Sequence, residues 1–103
     1  IGGKLIPMSY IEQATQFAQS KGLATHLDGA RLFNAAVAQA VQRGTNACKE
    51  AKVIASCFDS VSVCFSKGLG TPVGSALCGS KDFIVYCVYH NSIYSLRHMF
   101  STL

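Results

Sequence analysis

The sequence predicts an α/β protein, with a mostly parallel sheet flanked by helices. Two observations carry that prediction. Helix-like and strand-like stretches alternate along the 103 residues. The strand-like stretches are short and close to continuously apolar, as strands covered on both faces are.

Taken in order, Ser9-Tyr10-Ile11-Glu12 matches a capping box, with Ser9 at the cap and Glu12 three residues on. Ile11, Ala14, Phe17 and Ala18 follow at helical spacing, and Gly22 stands where a C-terminal glycine belongs. That helix should be amphipathic, with Glu12, Gln13, Gln16 and Gln19 in water. Residues 23–27 then read as a short strand running into Asp28-Gly29. Residues 30–41 read as a second helix, ended by Gly44 and so apolar that it should be buried on most sides. Residues 46–55 are a weaker helical stretch. Val61, Val63 and Phe65 alternate with Ser62 and Cys64, giving a strand over 59–65, and residues 73–78 give another after a glycine-rich loop. Residues 83–89 are β-prone, uncharged and free of proline, the composition of an aggregation-prone segment.

Composition excludes several function classes. Half of the residues are hydrophobic and only 14% are charged, against about a quarter in an ordinary soluble domain. So few charges imply that much of the surface is covered by further sequence or by a partner. The net charge of +4 comes from scattered Lys and Arg with no basic run, which argues against nucleic-acid binding. The longest apolar run is far too short to cross a membrane, and no signal sequence is expected at Ile1-Gly2-Gly3. The five cysteines lie 7 to 14 residues apart without a CxxC pair, which speaks against zinc and against a disulfide framework. Buried reduced thiols of an intracellular protein are the simpler expectation.

Two constellations carry chemistry. In Ser66-Lys67-Gly68-Leu69-Gly70-Thr71-Pro72-Val73-Gly74, a lone lysine follows a strand and meets glycines that let backbone turn tightly and approach a ligand. A lysine at the end of a buried strand is poorly hydrated, and its neutral amine is then a nucleophile. An exposed lysine in an ordinary loop is the alternative. Lys67 precedes its glycines, so this is not a phosphate loop, and the glycine spacing misses the dinucleotide pattern. The second constellation is His26-Leu27-Asp28-Gly29-Ala30-Arg31. Asp28 falls at the carboxyl end of a strand, where open α/β sheets place ligand groups, with Arg31 in the first turn of the next helix. Asp28 can equally pair with Arg31 or cap that helix. His26 and Asp28 share a strand face, but no third ligand accompanies them and no metal is expected.

Together, residues 26–36 (His-Leu-Asp-Gly-Ala-Arg-Leu-Phe-Asn-Ala-Ala) and 59–75 (Asp-Ser-Val-Ser-Val-Cys-Phe-Ser-Lys-Gly-Leu-Gly-Thr-Pro-Val-Gly-Ser) resemble the L-threonine aldolases of the low-specificity and allo-threonine type. These are pyridoxal-phosphate enzymes with the aspartate-aminotransferase-like fold. The resemblance implies a fragment of the large, pyridoxal 5'-phosphate-binding domain over residues 1–83, then a divergent hydrophobic tail over 84–103. It implies that Lys67 forms the Schiff base with the cofactor, that Asp28 pairs with the pyridinium nitrogen, and that Arg31 holds the substrate carboxylate. The implied reaction is retro-aldol cleavage of a β-hydroxy-α-amino acid to glycine and an aldehyde, in a cytoplasmic, homo-oligomeric parent. The family's phosphate-binding loop and ring-stacking histidine have no counterpart here, and His26 is not that histidine. This stretch alone is therefore expected to be inactive, and a remnant acting as an interaction module is the alternative.

Overall fold

A computed structural model describes residues 3–90 and 99–102. The elements run α1 (Met8–Ser20), β1 (His26–Gly29), α2 (Leu32–Arg43), α3 (Ala47–Ala55), β2 (Ser60–Cys64), β3 (Ser75–Gly79), α4 (Lys81–His90) and β4 (Met99–Thr102). The strands form one sheet in the order β1-β2-β3-β4. β1 and β2 are parallel, with Asp28 opposite Ser62 and Gly29 opposite Val63. β3 is antiparallel to β2, and β4 is parallel to β3. The α/β class holds, with a sheet that is parallel in two of its three pairings.

α1 begins two residues earlier than the Ser9 capping box places it. Pro7 is the cap residue, its φ of −60° is preset, and its carbonyl accepts from the Tyr10 and Ile11 N–H groups at 3.1 and 3.2 Å. Starting there also buries Met8 in the core. The C-terminus behaves as the glycine predicts. Gly22 has φ +68°, its N–H donates to the Gln19 carbonyl, and the Leu23 N–H donates to the Ala18 carbonyl, which is a Schellman end. Leu23 is thereby spent on the helix end, is 61% exposed, and β1 starts only at His26. Phe17, expected on the buried face, is exposed.

α2 starts at Leu32 rather than Ala30 because the Asp28 carboxylate holds the Ala30 N–H at 3.2 Å in the preceding turn, leaving Arg31 as the cap residue. Gly44 ends the helix with φ +65°. The expectation that this helix is buried on most sides fails. It buries Leu32, Ala36, Gln39 and Ala40, while Val37 and Val41 face solvent. α3 is better held than its weak pattern suggests. Asn46 accepts from the Lys49 N–H at 2.8 Å, and the buried Glu50 ties α3 to α2 by accepting from Gln39 Nε2 at 2.6 Å and Thr45 Oγ1 at 2.6 Å, with Arg43 Nη1 at 3.4 Å.

The core lies on one face of the sheet. Val61, Val63 and Ala76 project there and pack with Met8, Leu32, Ala36, Ala51, Ile54 and Ala55. Gly29 is required at this layer, since a Cβ on it would lie 2.7 Å from the Ser62 carbonyl oxygen. On the other face α4 covers one end of the sheet. Phe83 sits so close to Gly79 that a Cβ there would be 2.7 Å from its ring, and Ser60 beside it is buried. Residues 83–89 are therefore helical despite their β-prone composition. Ser80 caps the helix by accepting from the Phe83 N–H at 3.3 Å, Asp82 stands in the first turn, and Ile84 is buried. Local capping and the Phe83 anchor outweigh the β-prone composition. Among the described residues no helix is long and apolar enough to cross a membrane.

Candidate active site

The period-two alternation of β2 separates two faces: Val61 and Val63 enter the core, while Ser60, Ser62 and Cys64 point the other way. The parallel register aligns His26 and Asp28 of β1 with Ser60 and Ser62, so these groups share one polar surface. Asp28 is exposed, one residue from the end of β1, with Oδ1 accepting from the Ala30 N–H. It makes no ion pair with Arg31; among the described residues the ion pair found is Arg43–Glu50. Neither alternative weighed for Asp28 is found: α2 has Arg31 as its cap residue with no side-chain cap bond, and the Asp28 carboxylate instead holds the turn before the helix.

β2 carries the chain from this surface into the lysine loop. The loop is closed by the Phe65 N–H donating to the Gly74 carbonyl at 2.9 Å and the Thr71 N–H donating to the Phe65 carbonyl at 3.1 Å. Gly70 and Gly74 take φ of +67° and +126°, conformations that favour glycine. Gly68 serves a different need. A Cβ on it would lie 2.5 Å from Asn34 Oδ1 and 3.2 Å from the Phe33 Cβ, so the residue after Lys67 rests directly on the first turn of α2. Lys67 itself is exposed, which corrects the expectation of a poorly hydrated amine at a buried strand end. The loop leaves the sheet at Cys64 and carries Lys67 over the edge of the α2 cap.

Cys64 links the two constellations. Its Sγ lies 3.1 Å from Ser66 Oγ, and its thiol is held below the ordinary cysteine value, first by the Ser66 hydroxyl, then by the Ser66 backbone and the positive charges of Lys67 and Arg31. Lys67 and Arg31 thus both act on one sulfur on the Asp28 side of the sheet. Burial instead pushes Cys57 and Cys78 up. The thiols are not buried as expected: Cys48 is exposed, and Cys57, Cys64, Cys78 and Cys87 are half-buried and free. Among the described residues no group of three or more His, Cys, Asp or Glu side chains is placed to hold a metal.

The sequence reading missed what His26 does. Its Nδ1 is 2.8 Å from Ser60 Oγ and its Nε2 is 3.3 Å from Ser62 Oγ, so the imidazole bridges β1 to β2 across the polar surface. The Ser-Val-Ser-Val-Cys alternation was the available signal. Beside Asp28, on the core side of β1, lies a cavity of about 210 Å³ lined by Lys4, Leu27, Arg31, Leu32 and Ile54 among others. A second, of about 340 Å³, adjoins Gly68 and Leu69 and is lined by Phe33, Asn34 and Val37 of α2 and by Ala47 and Cys48. Lys67 lines neither.

A carboxylate near a strand end, an amine on a glycine loop after the parallel neighbour, and a guanidinium at the start of the intervening helix are a donor set that would suit pyridoxal phosphate. The beta-eliminating lyase family model matches residues 1–94. The chain belongs to the beta-eliminating lyase family. Over 82 residues it is 46% identical to the low specificity L-threonine aldolase of Escherichia coli K12, covering 80% of this chain and 22% of that protein. Over 83 residues it is 42% identical to low-specificity L-threonine aldolase 1 of Arabidopsis thaliana, covering 81% and 21%. A solved structure from Listeria monocytogenes, with a provisional assignment as an L-allo-threonine aldolase, superposes with a TM-score of 0.75 at 34% identity, over 91% of this chain and 24% of that one. The chain therefore spans about a fifth of the length of the relatives it matches.

Proposed function

We propose that this member of the beta-eliminating lyase family is a segment of a pyridoxal-phosphate-dependent L-threonine aldolase. In the whole protein it would cleave threonine or allo-threonine to glycine and an aldehyde. Bound pyridoxal phosphate would supply an electron sink for the charge released when a carbon–carbon bond breaks. The observation that carries the reading is the parallel β1–β2 pair, which sets Asp28 and the approach to Lys67 side by side with Arg31 at the intervening helix cap.

Each residue then has a task that suits its chemistry. The Lys67 amine, exposed on a loop whose next residue is fixed against α2, would hold the cofactor covalently. The Asp28 carboxylate would accept from the protonated ring nitrogen, a charge-assisted bond stronger than a neutral one. The planar Arg31 guanidinium would grip the substrate carboxylate with two parallel donors. The parent is read as a cytoplasmic homo-oligomer. The exposed apolar side chains of α2 and α4 support the association part of that reading, because Val37, Val41, Val85 and Tyr89 are left in water by this chain alone.

The experiment is covalent capture. Incubating the chain with saturating pyridoxal phosphate, reducing with borohydride and mapping the label by mass spectrometry should place it on Lys67, and Lys67→Ala should lose it. Equal labelling of parent and Lys67→Ala, or a label spread over the surface lysines, would overturn the assignment.

A further inference from the structure

We propose that His26 is a positioning residue for Asp28: it holds the Ser62 hydroxyl turned away from the Asp28 carboxylate, which keeps that carboxylate available to a cationic ligand nitrogen. The inference rests on the reading of Asp28 given under Proposed function. It starts from three facts. Ser62 is the residue directly opposite Asp28 in the parallel register, on the same face of the sheet. Its Oγ is engaged by His26 Nε2 at 3.3 Å. The Asp28 carboxylate accepts from the Ala30 N–H and not from Ser62.

Side chains opposite one another on adjacent strands lie within reach of a hydroxyl–carboxylate bond. A serine in that position is a ready donor to a carboxylate, and each donor it accepts disperses the negative charge that a pyridinium would otherwise meet. His26 removes that competitor. Its ring is doubly fixed: in the tautomer this role requires, Nδ1–H donates to the Ser60 oxygen at 2.8 Å, with Ser60 buried beneath Phe83 and Gly79, and Nε2 is then the acceptor that takes the Ser62 O–H. The bridge is not needed for strand register, which the backbone pairing from His26 to Gly29 and the apolar contacts of Val61 and Val63 on the opposite face already set. Lys4 and Arg31 line the cavity that Asp28 also lines. They are cations and act on the carboxylate alike in parent and variants.

The test reads the carboxylate directly at fixed pH. The chain has three aspartates, Asp28, Asp59 and Asp82. With 13C-labelled aspartate, infrared spectroscopy assigns the Asp28 stretch by its loss in Asp28→Asn. His26→Asn reproduces the Nδ1 bond to Ser60 but cannot reach Ser62, so its Asp28 band should shift as a new donor arrives. His26→Gln, which reaches as far as Nε2, should keep the parent band. The double variant His26→Asn/Ser62→Ala should return to the parent position. A mere strand staple would leave the band unmoved in His26→Asn, or leave it shifted in the double variant, and either result overturns the inference. Added pyridoxal phosphate should bind His26→Asn about twofold to tenfold more weakly than parent. Lys67→Ala, run alongside, separates the two ideas: if covalent capture survives in it, the cofactor reading fails while the infrared cycle still decides the role of His26.

Discussion

At the scale of single residues, the polar surface is assembled from groups whose tasks are separable. Asp28→Asn keeps the shape and the hydrogen-bonding oxygen but loses the charge. Its loss should cost on the order of 1.5–3 kcal/mol of charge-assisted bonding, and turnover of the full-length protein should fall much further than its cofactor affinity. Steady-state kinetics beside equilibrium cofactor titration checks this, and matched turnover in mutant and parent would return Asp28 to holding the Ala30 turn alone. Gly68 offers a different kind of test. A Cβ there meets the Asn34 side chain at 2.5 Å, so Gly68→Ala should push the Lys67 loop off α2, at about 1–3 kcal/mol of stability. The nearest obstacle is a side-chain end, so Asn34→Ala in the same chain should recover most of that loss in a thermal melt. Gly29→Ala should find no such rescue, because its clash is with the Ser62 backbone oxygen at 2.7 Å.

At the scale of elements, the α2–α3 hairpin is held by one buried carboxylate. Thr45 and Gln39 donate to Glu50, and their hydrogen bonds, aided by the Arg43 and Lys49 charges, hold its carboxyl below the ordinary value. A carboxyl lowered in the folded state stabilises the fold in full above its unfolded value, and that contribution fades as pH falls through the folded one. Glu50→Gln should therefore lower Tm at neutral pH, and the gap to parent should narrow once the pH drops below the ordinary value near 4.5. A gap constant across that range would show that the carboxylate's charge is not what holds the hairpin. This cluster was not legible in the sequence, since Gln39, Thr45 and Glu50 lie on two helices and a turn. What was legible rests on local chemistry. Gly22 and Gly44 end their helices with positive φ, and the Ser-Val alternation fixes which face of β2 is polar. The starts of α1 and α2 shifted because Pro7 supplies the first turn of α1 with an acceptor and Asp28 holds Ala30 in the turn before α2, neither of which a pattern of apolar residues reveals. α4 was not foreseen for a related reason. Residues 83–89 are strand-like in composition, but Ser80, Asp82 and the contact of Phe83 with Gly79 lie at or beyond the edge of that window. Of the candidate site, Asp28, Arg31 and Lys67 were read from motifs, whereas the His26 bridge needed the register of two strands distant in sequence.

At the scale of the whole molecule, apolar surface is left in water on both outer layers. α2, on the core side of the sheet, exposes Val37 and Val41; α4, on the polar side, exposes Val85, Tyr86, Val88 and Tyr89. Val41 and Tyr89 are 80% and 79% exposed, far beyond what a helix face turned toward its own core would show. Single exposed apolar residues are ordinary, but runs of them on two helices define patches that associate. A chain spanning about a fifth of its relatives' length also offers only part of a site that would have to hold cofactor and substrate at once. The 103-residue chain should therefore elute above its monomer mass in size-exclusion chromatography and release no acetaldehyde from threonine above background. Charged residues placed on both helices, Val41→Glu with Tyr89→Lys, should move the elution toward the monomer without creating activity. A sharp monomer peak for the unaltered chain, cleaving threonine in a coupled assay and losing that activity in Lys67→Ala, would show instead that this segment carries a complete active site.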